Sequence, residues 1–288
     1  MKKIVKVLSV ILTLAVVAAA FAGCSQKNDQ KLEYKIENNE VIITGYTDST
    51  ERTEIVVPDE IDGFPVTEIA DFSLFNAESL TKITIGKNVK TIGSWAMTNN
   101  QRLQEFAVDE ENEYFTAVDG ILFTKDMKTI IYYPNAKGIT FSKYGDPLQR
   151  DSSKDDFMEI TYTIPEGVET IHSKAFYKCY YIDNIVIPDS VKVIEEKAFH
   201  RCSALATLNL PKNLEFIGKD AFAYCELIKT ATIPATIKEI EDYAFFNCTG
   251  IEVLNIETQE ENIKQGKKWK PTSKGKENKN VQINWAEA

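Results

Sequence analysis

Between Tyr162 and Val253 the same residue types return every 23 positions, and that interval leaves few folds open to the chain. Four blocks, Tyr162 to Asn184, Ile185 to Thr207, Leu208 to Thr230 and Ala231 to Val253, align without a gap. One column holds Ile164, Ile187, Leu210 and Ile233, and the next holds Pro165, Pro188, Pro211 and Pro234. Val168, Val191, Leu214 and Ile237 follow, then Ile171, Ile194, Ile217 and Ile240. Ala175, Ala198, Ala221 and Ala244 each precede a phenylalanine: Phe176, Phe199, Phe222 and Phe245. The unit closes on Cys179, Cys202, Cys225 and Cys248, then Ile182, Leu205, Ile228 and Ile251.

The pattern within a unit dictates its local structure. The Ile-x-Ile-Pro stretch alternates, so two apolar side chains share one face of a strand. Proline ends that strand because it has no N–H for the ladder. The Val and Ile columns mark a second short extended piece. The Ala-Phe pair, with Cys and Leu after it, predicts a single helical turn folded back over the strands. One unit buries too few apolar groups to offset the entropy of ordering 23 residues, so the units must stack.

The period continues upstream in weaker form. Ile85, Ile92, Met97 and Leu103 occupy the Ile, Ile, Phe and Leu columns, and Asn100 takes the Cys place. One unit earlier stand Ile69, Leu74, Ala77 and Leu80, and a ninth strand begins at Leu254-Asn255-Ile256. Leu32 to Ile36 and Val41 to Tyr46 flank a short polar stretch. Ile131 keeps the 23-residue register with Val108, but the next strand, at Ile164, arrives ten residues late. The excess falls on Tyr144 to Phe157, a polar loop with Asp146, Asp151, Asp155 and Asp156 but no EF-hand pattern.

These units resemble the BspA-type leucine-rich repeat of bacterial surface proteins. Leu32 to Ile36 with Val41 to Tyr46 resemble the hairpin that opens such proteins, Ile61 to Ile69 their lengthened first unit, and Val118 to Phe123 with Ile131 to Pro134 their hairpin-bearing unit. The resemblance spans roughly residues 31 to 257 and implies a fold, a surface location, and adhesive or ligand-binding roles in some members. The expected fold is a β-rich α/β solenoid, a curved leucine-rich-repeat right-handed superhelix with short helical turns and an N-terminal β-hairpin cap. The expected organisation is a signal peptide over 1–23, a tether over 24–30, the hairpin cap over 31–50, repeats over 51–257 with the insertion near 144–157, and a C-terminal cap over 258–288.

The N-terminus carries a second message. Lys2, Lys3 and Lys6 precede an apolar run from Val7 to Ala22, too short for a comfortable membrane span but suited to a secretory signal. Phe21-Ala22-Gly23-Cys24 resembles a bacterial lipobox, although the usual leucine is replaced by Phe21. Lipidation of Cys24 would hold the protein on the membrane's outer face with two or more acyl chains. An ordinary secreted protein cut near Ala22 is the alternative. Removing the signal takes away three lysines, so the formal charge moves from −10 to −13. That balance argues against nucleic acid as a partner.

Chemistry-bearing residues are sparse. The repeat cysteines form a line, which cannot wrap a tetrahedral zinc. Neighbouring disulfides are geometrically conceivable, but Ala77 and Asn100 share the column, which favours buried free thiols acting as small apolar groups. His172 and His200 fall at different offsets and form no catalytic set with Ser or Asp. No cofactor or metal is expected, nor an enzyme. A surface enzyme or a wall-associated spacer are the alternatives to a binding module. The strand ladder offers the candidate contact face: Thr84, Thr161, Thr163, Asn184, Thr207, Asn209, Thr230, Thr232 and Asn255 point outward if the Ile columns point inward. A plain soluble strand face is the favoured alternative. Glu169, Lys192, Glu215 and Lys238 alternate in sign in one column and read as coil-to-coil ion pairs. The seven lysines from Lys264 to Lys279 read as a solvated loop, with a contact for anionic wall polymers or lipid headgroups as the alternative, and Trp269 and Trp285 as covers for the last coil. A monomer is expected, anchored to the membrane through Cys24 and facing an extracellular protein or glycan that the sequence does not identify.

Overall fold

The structure, a computed structural model, describes residues 32–47, 53–142, 145–148, 158–273, 276–277 and 280–287. The expected signal peptide, Cys24 with its tether, Tyr144 and the loop aspartates Asp151, Asp155 and Asp156 lie outside the described residues.

The Ile-x-Ile stretches form parallel ladders in the register that the repeat predicts. Thr161–Thr163, Asn184–Val186 and Thr207–Asn209 make one sheet, with Thr161, Asn184 and Thr207 side by side. Thr230–Ile233, Val253–Ile256 and Gln282–Trp285 make a second, and Glu54–Val57, Lys82–Ile85 and Glu105–Val108 a third. The Val-Ile columns build the other wall: Thr170–Ile171, Val193–Ile194, Phe216–Ile217, Glu239–Ile240 and Lys264–Gln265 pair in parallel, coil against coil. Between the walls the four repeat phenylalanines are fully buried in one row. Their rings stack at 4.9, 5.1 and 5.2 Å with interplanar angles of 14°, 5° and 10°.

The N-terminal hairpin is present. Leu32–Glu37 and Glu40–Tyr46 pair antiparallel, and Asn38 and Asn39 both have positive φ (52° and 63°), as a tight two-residue turn needs. The second hairpin strand then pairs in parallel with Phe64–Ile69, which joins the hairpin to the coils. At the other end, Phe245 N–H donates to the carbonyl of Trp269, and Trp269 is buried on the core, so the last coil is covered.

Two expectations fail. The first is the helical turn, and with it the α/β label: apart from one 3-10 turn at Glu260–Asn262, the described residues hold no helix. The Ala-Phe segment is a run of tight turns whose N–H groups alternate in their use. Ala175, Tyr177 and Cys179 donate three residues back, whereas Lys174, Phe176 and Lys178 donate to Glu196, Ala198 and His200 of the next coil. A helix would turn every N–H along its own axis and leave none for the neighbouring coil. The alternation is set by left-handed residues on either side of the Ala-Phe pair, Lys174 (φ 65°) and Lys178 (φ 57°), repeated at Lys197 and Arg201, Asp220 and Tyr224, and Tyr243 and Asn247.

The second is the register of Ile131. Thr129–Tyr132 leaves the Ile-x-Ile ladder and joins the other wall, with Thr129 and Ile130 beside Thr170 and Ile171. It is the last strand of an antiparallel meander with Phe115–Val118 and Ile121–Thr124. Both faces of this meander are buried. Ile121, Phe123 and Ile130 pack into the C-terminal core, while Phe115, Leu122, Ile131 and Tyr132 pack into the N-terminal one.

Most members of the Cys column do more than fill space. Cys202, Cys225 and Cys248 are free and buried, and each thiol donates to the phenylalanine carbonyl of the coil before, Phe176, Phe199 and Phe222, at 3.1, 3.1 and 2.9 Å. Asn100 does the same job with more bonds: its Nδ2 donates to Leu74 O and Met97 O (both 2.9 Å), and its Oδ1 accepts from Ala77 N (2.7 Å). In these coils the column supplies a side-chain donor to a carbonyl of the coil before, whereas Ala77, in the same column of an earlier coil, has none to supply.

Candidate binding surfaces

The sequence-predicted strand face exists as a surface. Thr161, Thr163, Thr207, Asn209, Thr230 and Thr232 are exposed, and Thr84, Asn184 and Asn255 are half-buried. These residues do not form one continuous ladder, because they fall in three separate sheets. Lys82 and Glu105 close a salt bridge on it at 2.6 Å, Asn284 Nδ2 donates to Asn255 Oδ1 at 2.8 Å, and Asn184 bonds Glu159. Much of its hydrogen-bonding capacity is used between coils. The alternating column behaves as expected: Lys238 pairs with Glu215 at 2.5 Å and Lys192 with Glu169 at 4.0 Å, and Lys128 extends the row to Glu169 at 2.8 Å. These lysines hold the Glu169 and Glu215 carboxyls below their ordinary range. Two of the C-terminal lysines are also committed, Lys264 to Glu239 and Lys270 to Glu260.

The turn side of the coils carries a feature that the columns did not announce. Phe72, Phe75, Trp95, Tyr177, His200, Tyr224 and Phe246 form a chain of ring contacts. Phe72 stacks on Trp95 at 5.7 Å, Trp95 meets Tyr177 edge-on at 5.3 Å, and Tyr177 stacks on His200 at 5.4 Å. His200 meets Tyr224 at 5.3 Å, and Tyr224 meets Phe246 at 5.7 Å. Phe72 and Phe75 are 57% and 37% exposed, and the other five are half-buried. Scattered exposed aromatics need no explanation, but a contiguous row does.

Cations lie along this ribbon. Lys174 Nζ sits 4.5 Å over the Trp95 ring, Lys178 5.5 Å over Tyr177 and Arg201 Cζ 4.9 Å over Tyr224. Lys174 is 3% exposed, and its Nζ reaches Ser173 Oγ at 2.7 Å and Ser94 Oγ at 3.3 Å; burial lowers its pKa. Burial also lowers Lys178, whose Nζ donates to Asn99 Oδ1 at 2.7 Å, and the nearby Arg201 adds to the effect. His200 is pushed down to about 4 by burial and then by Arg201 and Lys197. His172 has a different setting: its Nδ1 lies 2.7 Å from Glu195, which also accepts from Ser173 N at 2.8 Å.

Among the described residues no group of His, Cys, Asp and Glu could hold a metal ion, and no helix is long and apolar enough to cross a membrane. A profile of the BspA type leucine rich repeat region matches residues 16–139 and 158–267, in six copies. The chain belongs to that family. Among solved structures, a leucine-rich repeat protein from Eubacterium ventriosum is 18% identical, with 72% of this chain and 68% of that one covered and a TM-score of 0.51. That likeness extends to the fold. The T. pallidum leucine rich repeat protein is 21% identical over 83% of this chain and 84% of that one, TM-score 0.41. A leucine rich cell surface protein from Faecalibacterium prausnitzii is 20% identical over 83% and 71%, TM-score 0.41. No curated protein sequence matches.

Proposed function

We propose that this BspA-type repeat protein is a binding and adhesion module, held on the outer face of the cell membrane by lipid on Cys24, that engages a protein or glycan partner along the ribbon from Phe72 to Phe246. The observation that carries the reading is the unbroken row of ring contacts across the coils, with two exposed phenylalanines at one end. Aromatic side chains with adjacent cations are the groups that most often anchor recognition surfaces. The anchoring rests on the basic start, the apolar run and the small residues before Cys24. The threonines of the strand face are the second candidate surface, because six of the nine named side chains facing that way are exposed.

One experiment separates the two surfaces. The mature chain is applied to an array of glycans and matrix proteins beside a ribbon variant, Phe72→Ala with Trp95→Ala, and a strand-face variant, Thr161→Ala with Thr207→Ala and Thr230→Ala. Loss of capture in the first alone supports the ribbon; loss in the second alone moves the site to the strands. Cell fractionation tests the anchor: Cys24→Ala, or globomycin, should release the protein into the medium.

A further inference from the structure

The charge balance along the ribbon narrows the partner, on the premise that the ribbon is the binding surface. The chain has a formal net charge of −10. Many lysines elsewhere on the coils find carboxylates, as Lys82, Lys128, Lys238 and Lys264 do, although Lys125 and Lys219 make no ion pair among the described residues. Around His200 the pattern reverses: the charged groups that act on it are Arg201, Lys197 and Lys178. Lys197 is neutralised by Glu196 and Asp220. Lys178 and Arg201 occupy the same column of successive coils, and among the described residues neither makes an ion pair. Arg201 lies near enough to add to burial in depressing the Lys178 pKa, so on an acidic chain the pair offers its positive charge to an anionic group.

The rings restrict the ligand further. Cations already cover faces of Trp95, Tyr177 and Tyr224, and an aromatic edge carries the positive end of the quadrupole. Both features favour an anion over a cationic ligand. An extended peptide is a poor occupant. Its same-face side chains recur at about 6.6–6.8 Å, whereas the coils repeat at 4.9–5.2 Å. The turn-side N–H groups of Lys174, Phe176 and Lys178 are spent on the next coil, so a peptide strand finds no backbone donors there. A hexopyranose unit in a glycan chain is about as long as one coil is thick, and it needs no backbone ladder.

We propose that the Tyr177–His200–Tyr224 stretch seats an acidic sugar residue of an extended glycan, with its carboxylate or sulfate held between the Lys178 ammonium and the Arg201 guanidinium. The test measures binding of the full mature chain to polygalacturonate, dextran sulfate, neutral dextran and poly-L-glutamate, at low and at moderate salt. One of the two acidic glycans should bind, which identifies carboxylate or sulfate as the anion, and binding should weaken with salt. Lys178→Gln with Arg201→Gln should weaken it about tenfold or more in a chain that still melts cooperatively, whatever stability the lost Asn99 bond and ring contacts cost. Arg201→Lys should retain much of the binding, and Lys238→Gln, at a paired lysine, should leave it unchanged. Equal binding to neutral dextran, or a double variant that binds like the parent, overturns the proposal. Equal binding to poly-L-glutamate with the same dependence on Lys178 and Arg201 replaces the glycan with an acidic polypeptide. If array capture depends on Phe72 and Trp95 but not on Lys178 and Arg201, the ribbon stands and the acidic sugar falls. If capture depends on the strand threonines, the ribbon itself falls.

Discussion

The buried phenylalanine row predicts a coupling pattern that a double-mutant cycle can read. Phe199 and Phe222 stack at 5.1 Å with nearly parallel rings, and each also stacks on another ring on its far side. Replacing either by Leu keeps an apolar side chain and should cost less than the roughly 3–5 kcal/mol typical of Phe→Ala in a core. Ring-on-ring contact is worth about 0.5–1.5 kcal/mol beyond area burial, so Phe199→Leu and Phe222→Leu should couple by that amount. Phe176 and Phe245 lie at opposite ends of the same row, about 15 Å apart, and their Leu variants should add within ~0.5 kcal/mol. A further comparison sits inside the set. Phe222 loses two ring contacts and Phe245, the last of the row, loses one, so Phe222→Leu should be costlier by about one contact, ~0.5–1.5 kcal/mol. Urea unfolding followed by circular dichroism supplies the energies, provided the slope with denaturant is unchanged among variants. Equal coupling in the adjacent and the remote pair, or none in either, would show that the rings merely fill volume.

Three other outcomes follow from buried polar and titratable groups. Asn100→Ala leaves Leu74 O, Met97 O and Ala77 N without their partner and should cost about 3 kcal/mol or more, whereas Asn100→Cys restores one donor and should cost less in the same assay. The thiols of Cys179, Cys202, Cys225 and Cys248 are buried and their pKa values raised by burial, so a thiol reagent at pH 8 should leave them unmodified until denaturant is added; rapid native labelling would contradict their placement. His200, lowered to about 4 against an ordinary ~6.5, is charged in the unfolded chain before it is charged in the fold. Its stabilising effect is complete above pH 6.5 and is lost as pH falls toward 4, so the parent should lose about 1–2 kcal/mol more than His200→Gln over that window, after allowance for partial exposure.

The ladders and the aromatic core were legible because the Ile, Phe and Cys columns each have one chemical requirement that the sequence repeats. The turns were not. Ala175-Phe176 with Cys179 and Ile182 fits helical spacing, and what defeats a helix is positive φ at Lys174 and Lys178, residue types with no glycine-like signature. The ribbon stayed hidden for two reasons. Its rings come from different columns: Phe72 and Trp95 stand two places before the Phe position, Tyr177, His200 and Phe246 one place after it, and Tyr224 two places after. Trp95 and Tyr177 also come from segments on opposite sides of the meander at 115–132 in sequence, and they meet beside the Lys174–Ser94 and Lys178–Asn99 contacts, which no repeat column predicts. Six of the nine strand-face residues named from the sequence are exposed, and no residue type marks the split of that face into three sheets.

That meander has a mechanical meaning. With Leu122 and Tyr132 turned toward one apolar compartment and Phe123 and Ile130 toward the other, it works as a bulkhead. Coils communicate with their immediate neighbours, so a front of unravelling that starts at either end meets, at this partition, a layer still clamped by the opposite stack. Unravelling of one compartment should therefore leave the other standing, and the chain should come apart in stages instead of all at once.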